Sequence, residues 1–82
     1  MDLQLLVNIG NQTITINTHQ DVSIKTLKKL ILEKKHMNID ISNIYLTYGG
    51  KLLNNQQNIS YYNIKPHSNL HANVKMYGGI LG

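Results

Sequence analysis

The apolar residues of this chain repeat at every second position, switch once to helical spacing, and then switch back. Leu3, Leu5 and Val7 alternate with Leu6 facing the other way, which predicts a strand with one buried face. Asn8-Ile9-Gly10-Asn11 reads as a turn, and Thr13 to Asn17 alternates again with β-branched residues. So short a loop predicts an antiparallel hairpin. The period then changes. Ile24, Leu27, Leu30 and Ile31 share one face of a helix over about 24–36, roughly 20 Å long at 1.5 Å per residue. Ser23 is placed to cap it, and Lys34 and Lys35 favour its C-terminal dipole end. Leu32 lies off the apolar stripe and is expected to be partly exposed.

The rest of the chain returns to strands. Residues 37–43 read as a linker, and Ile44 to Tyr48 as a third strand. Gly49-Gly50 makes a turn into a short return strand at Lys51, Leu52 and Leu53. A polar loop follows, then one helical turn at 59–62 that Asn58 is placed to cap. Leu70, Ala72, Val74 and Met76 fall on one side of a final strand. One amphipathic helix and one sheet with a single apolar face must cover each other. The predicted fold class is therefore α+β, a roll with the helix lying across a mixed sheet.

The chain has 82 residues and no cysteine, so disulfides and thiolate metal sites are excluded. It has no apolar run long enough to span a membrane and no signal-peptide pattern at its start. The expected location is the cytoplasm, with the nucleus also open to it. The net charge of +4 comes from eight lysines, with no arginine, against four acids. Only 15% of residues are charged, so part of the basic excess reflects missing acids. Lysine, asparagine and isoleucine are all products of A/T-rich codons, which accounts for much of the bias. The lysines at 25, 28, 29, 34 and 35 spread around the helix without interleaved aromatic residues, which argues against nucleic acid.

Catalysis finds no support either. The acids are Asp2, Asp21, Glu33 and Asp40, in turns, near the terminus or on the helix, with no arrangement suited to a nucleophile, a base and an orienting acid. His67 and His71 are four apart, but they flank a strand start, where that spacing does not converge them on a metal. No cofactor is implied. Gly49-Gly50 lacks the glycine spacing and the following Ser or Thr of a phosphate loop.

The element order and several local strings resemble ubiquitin and the β-grasp ubiquitin-like family. The resemblance spans residues 3–79. Leu3-Gln4-Leu5-Leu6-Val7 is similar to the family's first strand and Thr13-Ile14-Thr15 to its second. Ile24, Leu27, Lys28 and Ile31 fall where the family's helix carries core residues and a semi-buried lysine. Gly50-Lys51 matches the turn that presents a chain-building lysine. Tyr62-Asn63-Ile64, followed by Leu70-His71, is the most specific internal string. The Tyr62 hydroxyl is expected to bond the backbone of the preceding loop, as in the family. Lys75-Met76-Tyr77-Gly78-Gly79 matches the family's tail.

This resemblance implies a ubiquitin-like domain over 1–76 and a flexible tail over 77–82. It implies a protein modifier, cut by a processing protease between Gly79 and Ile80 and joined through Gly79 to lysine amines of target proteins. An activating enzyme would adenylate the Gly79 carboxylate with ATP and Mg²⁺ and pass it through enzyme thioesters, conjugating enzymes included. Two residues without Cβ, Gly78 and Gly79, make a thin chain able to thread those active sites. The protein itself carries no catalytic group and is expected to be a monomer. The implied partner-binding residues are Leu6, Thr47, Gly50, His71, Asn73, Lys75 and Tyr77. Lys28, Lys34 and Lys51 match lysines on which the family builds chains, while Pro66 replaces another.

Departures from the family pattern leave an alternative open. Thr47 and Asn73 stand where two aliphatic residues form the family's apolar recognition patch, and the first turn is one residue short near Gly10. Polar side chains bury less apolar area, worth about 25 cal/mol per Å², so standard ubiquitin receptors are expected to bind weakly. Lys75 and Tyr77 replace two tail arginines, which points to a dedicated activating enzyme. Asp40-Ile41 replaces a pair of prolines after the helix. Ile80-Leu81-Gly82 follows the Gly-Gly pair. The alternative is a non-covalent binding module whose tail is not conjugated, and a third reading is a sulfur carrier.

Overall fold

The computed structural model describes residues 2–75. Five strands form one sheet: β1 (Asp2–Ile9), β2 (Gln12–His19), β3 (Ile44–Tyr48), β4 (Lys51–Leu52) and β5 (Asn69–Val74). The spatial order is β2-β1-β5-β3-β4. The β1–β5 pair is parallel and the β1–β2, β3–β4 and β3–β5 pairs are antiparallel. One helix, α1 (Ile24–Lys35), packs across the sheet, giving the expected α+β roll with a mixed sheet. The expected boundary between domain and tail lies outside the described residues, and the last strand, expected to run to Met76, ends at Val74.

The first hairpin is tighter than the sequence reading. Asn8 and Ile9 continue β1, Ile9 pairs with Gln12, and only Gly10-Asn11 turn. Gly10 sits at φ +60°, a conformation that glycine adopts without steric cost. Ile9 is then 6% exposed and belongs to the core. Gly49 and Gly50, at φ +60° and +79°, close the β3–β4 hairpin, and two successive positive φ values suit the right-handed twist of the strands.

Helix α1 starts and stops as its end residues dictate. The Ser23 hydroxyl accepts the Thr26 N–H at 3.1 Å, satisfying one of the free donors of the first turn. His36 adopts the left-handed conformation at φ 55°, which ends the helix, and its N–H donates to the Glu33 carbonyl at 3.1 Å. Ile24, Leu27 and Ile31 are fully buried against the inner face of the sheet, where Leu5, Val7, Ile44, Leu46 and Leu70 meet them. Each such side chain contributes about 1.5–3 kcal/mol of transfer free energy.

Three expectations are corrected. Leu32 is 6% exposed, not partly exposed. The residues after the helix are apolar at Met37, Ile39 and Ile41, and they fold back around Leu32, with the Met37 N–H donating to the Leu32 carbonyl at 2.9 Å. The linker also contains a 3₁₀ turn, Ile41–Asn43, started by the Asp40 carboxylate accepting the Ser42 N–H at 3.2 Å. The helical turn at Ile59–Tyr62 exists and is 3₁₀, but Asn58 makes no side-chain cap. Backbone bonds hold this turn instead: the Ile59 N–H donates to the Val22 carbonyl and the Ser60 N–H to the Gln20 carbonyl. Tyr62 behaves as expected, its hydroxyl accepting the Asn54 N–H at 2.7 Å.

Candidate functional site

The candidate site is the outer face of the sheet, the side away from α1. Successive strand residues point to opposite faces. With Leu3, Leu5 and Val7 buried, β1 presents Gln4, Leu6 and Asn8 outward. With Leu70 and Ala72 buried, β5 presents Asn69, His71 and Asn73. With Ile44 and Leu46 buried, β3 presents Tyr45 and Thr47.

Register turns these positions into rows. Asn8 pairs with Thr13 on one side and His71 on the other. Thr47 pairs with His71 and with Leu52. One row, Thr13-Asn8-His71-Thr47-Leu52, therefore crosses all five strands. A neighbouring row brings Thr15, Leu6 and Asn69 together, and Tyr45 stands opposite Asn73. Four of the partner-binding residues expected from the sequence, Leu6, Thr47, His71 and Asn73, thus share one face. Gly50 lies in the turn that follows β3, and Lys75 lies just past β5, where its N–H donates to the Asn43 carbonyl at 2.7 Å. Tyr77, Gly78, Gly79 and Ile80 lie outside the described residues.

The face is knitted together by polar side chains. The Thr13 hydroxyl donates to Asn8 Oδ1 at 2.6 Å, and Asn8 Nδ2 donates to Asn69 Oδ1 at 3.4 Å. Further along, Gln4 Nε2 donates to Asn17 Oδ1 at 3.4 Å. Sequence reasoning missed Asn8, which it placed in a turn, and Tyr45, whose outward position follows only once the register of β3 is known. Leu52, 62% exposed, ends the long row and is its largest free apolar group. Of the acids, Asp2 stands at the start of β1 on this face, beside His19 at 3.1 Å, while Asp21 precedes α1, Glu33 is on α1 and Asp40 follows it. Lys75 brings a positive charge to the β5 end of this side, and β3, β4 and β5 carry no carboxylate.

The three candidate acceptor lysines differ in access. Lys34 and Lys51 are exposed, whereas Lys28 keeps only 5% of its surface. Among the described residues the one carboxylate within salt-bridge reach of a basic side chain is Asp2, beside His19, so no carboxylate neutralises Lys28 there. Burial without a counter-charge pushes the Lys28 ammonium below its ordinary pKa of 10.5. The folded state then binds its proton less tightly than the unfolded state. Stability rises with pH between the lowered folded value and the unfolded one, and below that window the full penalty applies. Lys28→Met keeps the stem and removes the charge. It is expected to raise stability at pH 7 and to abolish that rise, measured by urea titration from pH 7 to 10.5. Lower stability than the parent at pH 7 would show that the ammonium is satisfied after all.

No helix among the described residues is long and apolar enough to cross a membrane. Nor do they contain a group of three or more His, Asp or Glu side chains able to hold a metal ion. His67, at φ 65°, spends its N–H on the Gln4 carbonyl and serves the turn before β5. What the arrangement offers chemically is a surface of hydroxyls, amides and one imidazole. Compared with known protein families, the chain matches the Ubiquitin family over residues 5–77.

Proposed function

Because this chain belongs to the ubiquitin family, we propose that it is a protein modifier, processed after Gly79 and conjugated through the Gly79 carboxylate to lysine amines of target proteins. Domains of this family are not enzymes themselves. The observation that carries the reading is the Gly78-Gly79 pair directly after a ubiquitin-like domain. A thin, Cβ-free terminus suits transfer of an acyl group between narrow enzyme sites. The outer sheet face supports the second half of the reading. Leu6, Thr47, His71 and Asn73 form a surface for activating, conjugating and reading proteins, framed by Gly50 and Lys75. The domain over 1–76 acts as the handle, and the tail over 77–82, once cut after Gly79, leaves residues 77–79 as the reactive arm.

Because that face is polar, receptors that bury a flat apolar patch gain little from it. Their desolvated apolar groups would meet Thr47 and Asn73, whose hydrogen bonds to water would be lost. The working partners are therefore dedicated ones with polar or acidic contact surfaces. On this reading the protein acts in the cytoplasm, as a monomer.

The test uses a chain ending at Gly79, ATP, Mg²⁺ and the activating enzyme of the same host. The expected product is a complex with that enzyme that survives denaturation and is released by a reducing agent. A verified cognate enzyme that yields no such complex would favour the second reading, a non-covalent binding module. That reading rests on Ile80-Leu81-Gly82 after the glycine pair.

A further inference from the structure

The charge of this chain is unevenly placed. Helix α1 carries five lysines and one glutamate, so the whole net charge of +4 sits on it. The three lysines and three aspartates elsewhere cancel. With Ile24, Leu27 and Ile31 buried against the sheet, Lys25, Lys29 and Glu33 stand exposed on the side away from it, four residues apart. Residues at that interval lie one above the other, about 6 Å apart along the helix. They make a row of two positive charges followed by one negative.

Beside the C-terminal half of this row lies a groove of about 570 Å³. Leu32, Met37, Ile39 and Ile41 form its apolar wall, with Lys29 and Glu33 on its rim. Met37, Ile39 and Ile41 pack against the core yet stay partly exposed. The loop that bears them is tied down at both ends. The Met37 N–H donates to the Leu32 carbonyl at 2.9 Å, and the Asp40 carboxylate accepts the Ser42 N–H at 3.2 Å. The groove is therefore part of the fold, and its apolar wall adjoins a row of charges of fixed order.

We propose that this flank of α1 docks an amphipathic helix of a partner protein. The partner helix runs antiparallel to α1, so that the two helix dipoles oppose. Its apolar stripe lies in the groove, two acids at an interval of four face Lys25 and Lys29, and a lysine one turn further faces Glu33. The flank is a helix side and a loop, with no open strand edge to pair with, so the partner segment must satisfy its own backbone, as a helix does. The order of charges also selects the occupant. Glu33 on the rim and Asp40 between Ile39 and Ile41 would repel a uniformly anionic surface such as nucleic acid or a phospholipid bilayer. A second copy of this chain would bring its own basic helix to a basic one. The site lies away from the outer sheet face and from the tail, and it stands whether or not the tail is conjugated.

The test titrates the isotope-labelled full chain with the helical peptide Leu-Ala-Gln-Lys-Leu-Ala-Ala-Glu-Leu-Ala-Gln-Glu-Ala, and with a second peptide that exchanges its lysine and glutamates. The first peptide is expected to shift the amide resonances of Lys29, Leu32, Met37 and Ile41 and to leave those of β1 and β2 in place. Lys25→Glu with Lys29→Glu should weaken the first peptide about tenfold and strengthen the second by about as much. The urea midpoint of that variant should stay put, because both lysines are exposed. Replacing the leucines of the first peptide by serines should remove its binding. Shifts on the outer sheet face instead, no shift at millimolar peptide, or equal weakening of both peptides by the double substitution overturns the proposal. So does adsorption of the chain to phosphatidylserine vesicles without binding of the peptide, or dimer formation through the same amides.

Discussion

Leu5→Ala is expected to cost about 2–5 kcal/mol of folding stability, a large share of what a small domain possesses. Leu5 has no exposed surface and sits on β1, the strand that pairs with both β2 and β5. Its side chain lies in the layer where the sheet meets α1, among Leu27, Ile31 and Leu70, all fully buried. Truncation removes transfer free energy and leaves a cavity that a central strand, tied on both sides, cannot close by shifting. Urea unfolding should show the midpoint falling with the slope unchanged, since the same surface is exposed on unfolding. Leu52→Ala is the control. Leu52 is 62% exposed, and its loss should stay within about 0.5 kcal/mol. Equal effects for the two leucines would contradict the division of the sheet into a core face and a contact face.

Ile80→Pro is expected to abolish thioester formation by the full chain while leaving its unfolding curve unchanged. The proposed function requires a free carboxylate on Gly79, and Ile80-Leu81-Gly82 follows it. Proline at position 80 turns the scissile bond into a tertiary amide without an N–H, and its ring locks φ near −65°. A protease that binds the tail as an extended strand loses both a donor and the needed backbone geometry. A chain already ending at Gly79 bypasses the protease and should form the thioester under the same conditions. The comparison separates processing from activation. If Ile80→Pro forms the thioester as well as the parent, the cut does not fall after Gly79.

Much of this architecture can be read from hydrophobic spacing. The alternation at Leu3, Leu5 and Val7 and the stripe at Ile24, Leu27 and Ile31 each mark a face, and each face proved to be core. Ser23 announced the helix start because its chemistry is local. Features that depend on distant chain segments were not legible. Leu32 is covered by residues 37–41, and no helical period can report what a following loop will do. Asn58 has the chemistry of a cap, but the Val22 and Gln20 carbonyls held that turn instead. The candidate site shows the same contrast. Leu6, Thr47, His71 and Asn73 were reached through family resemblance. Their union in one face, together with Asn8 and Tyr45, follows from the register of β1, β5 and β3, which pattern alone does not specify.

The most direct measurement of the central claim is mass spectrometry of tryptic peptides from the native host. Trypsin cuts after Lys75, so a target lysine joined to Gly79 would keep the remnant Met76-Tyr77-Gly78-Gly79 on its amine. The account predicts lysine peptides from other proteins that carry this remnant, together with free chain ending at Gly79. Native chain that always ends at Gly82, with no lysine anywhere bearing the remnant, would contradict it.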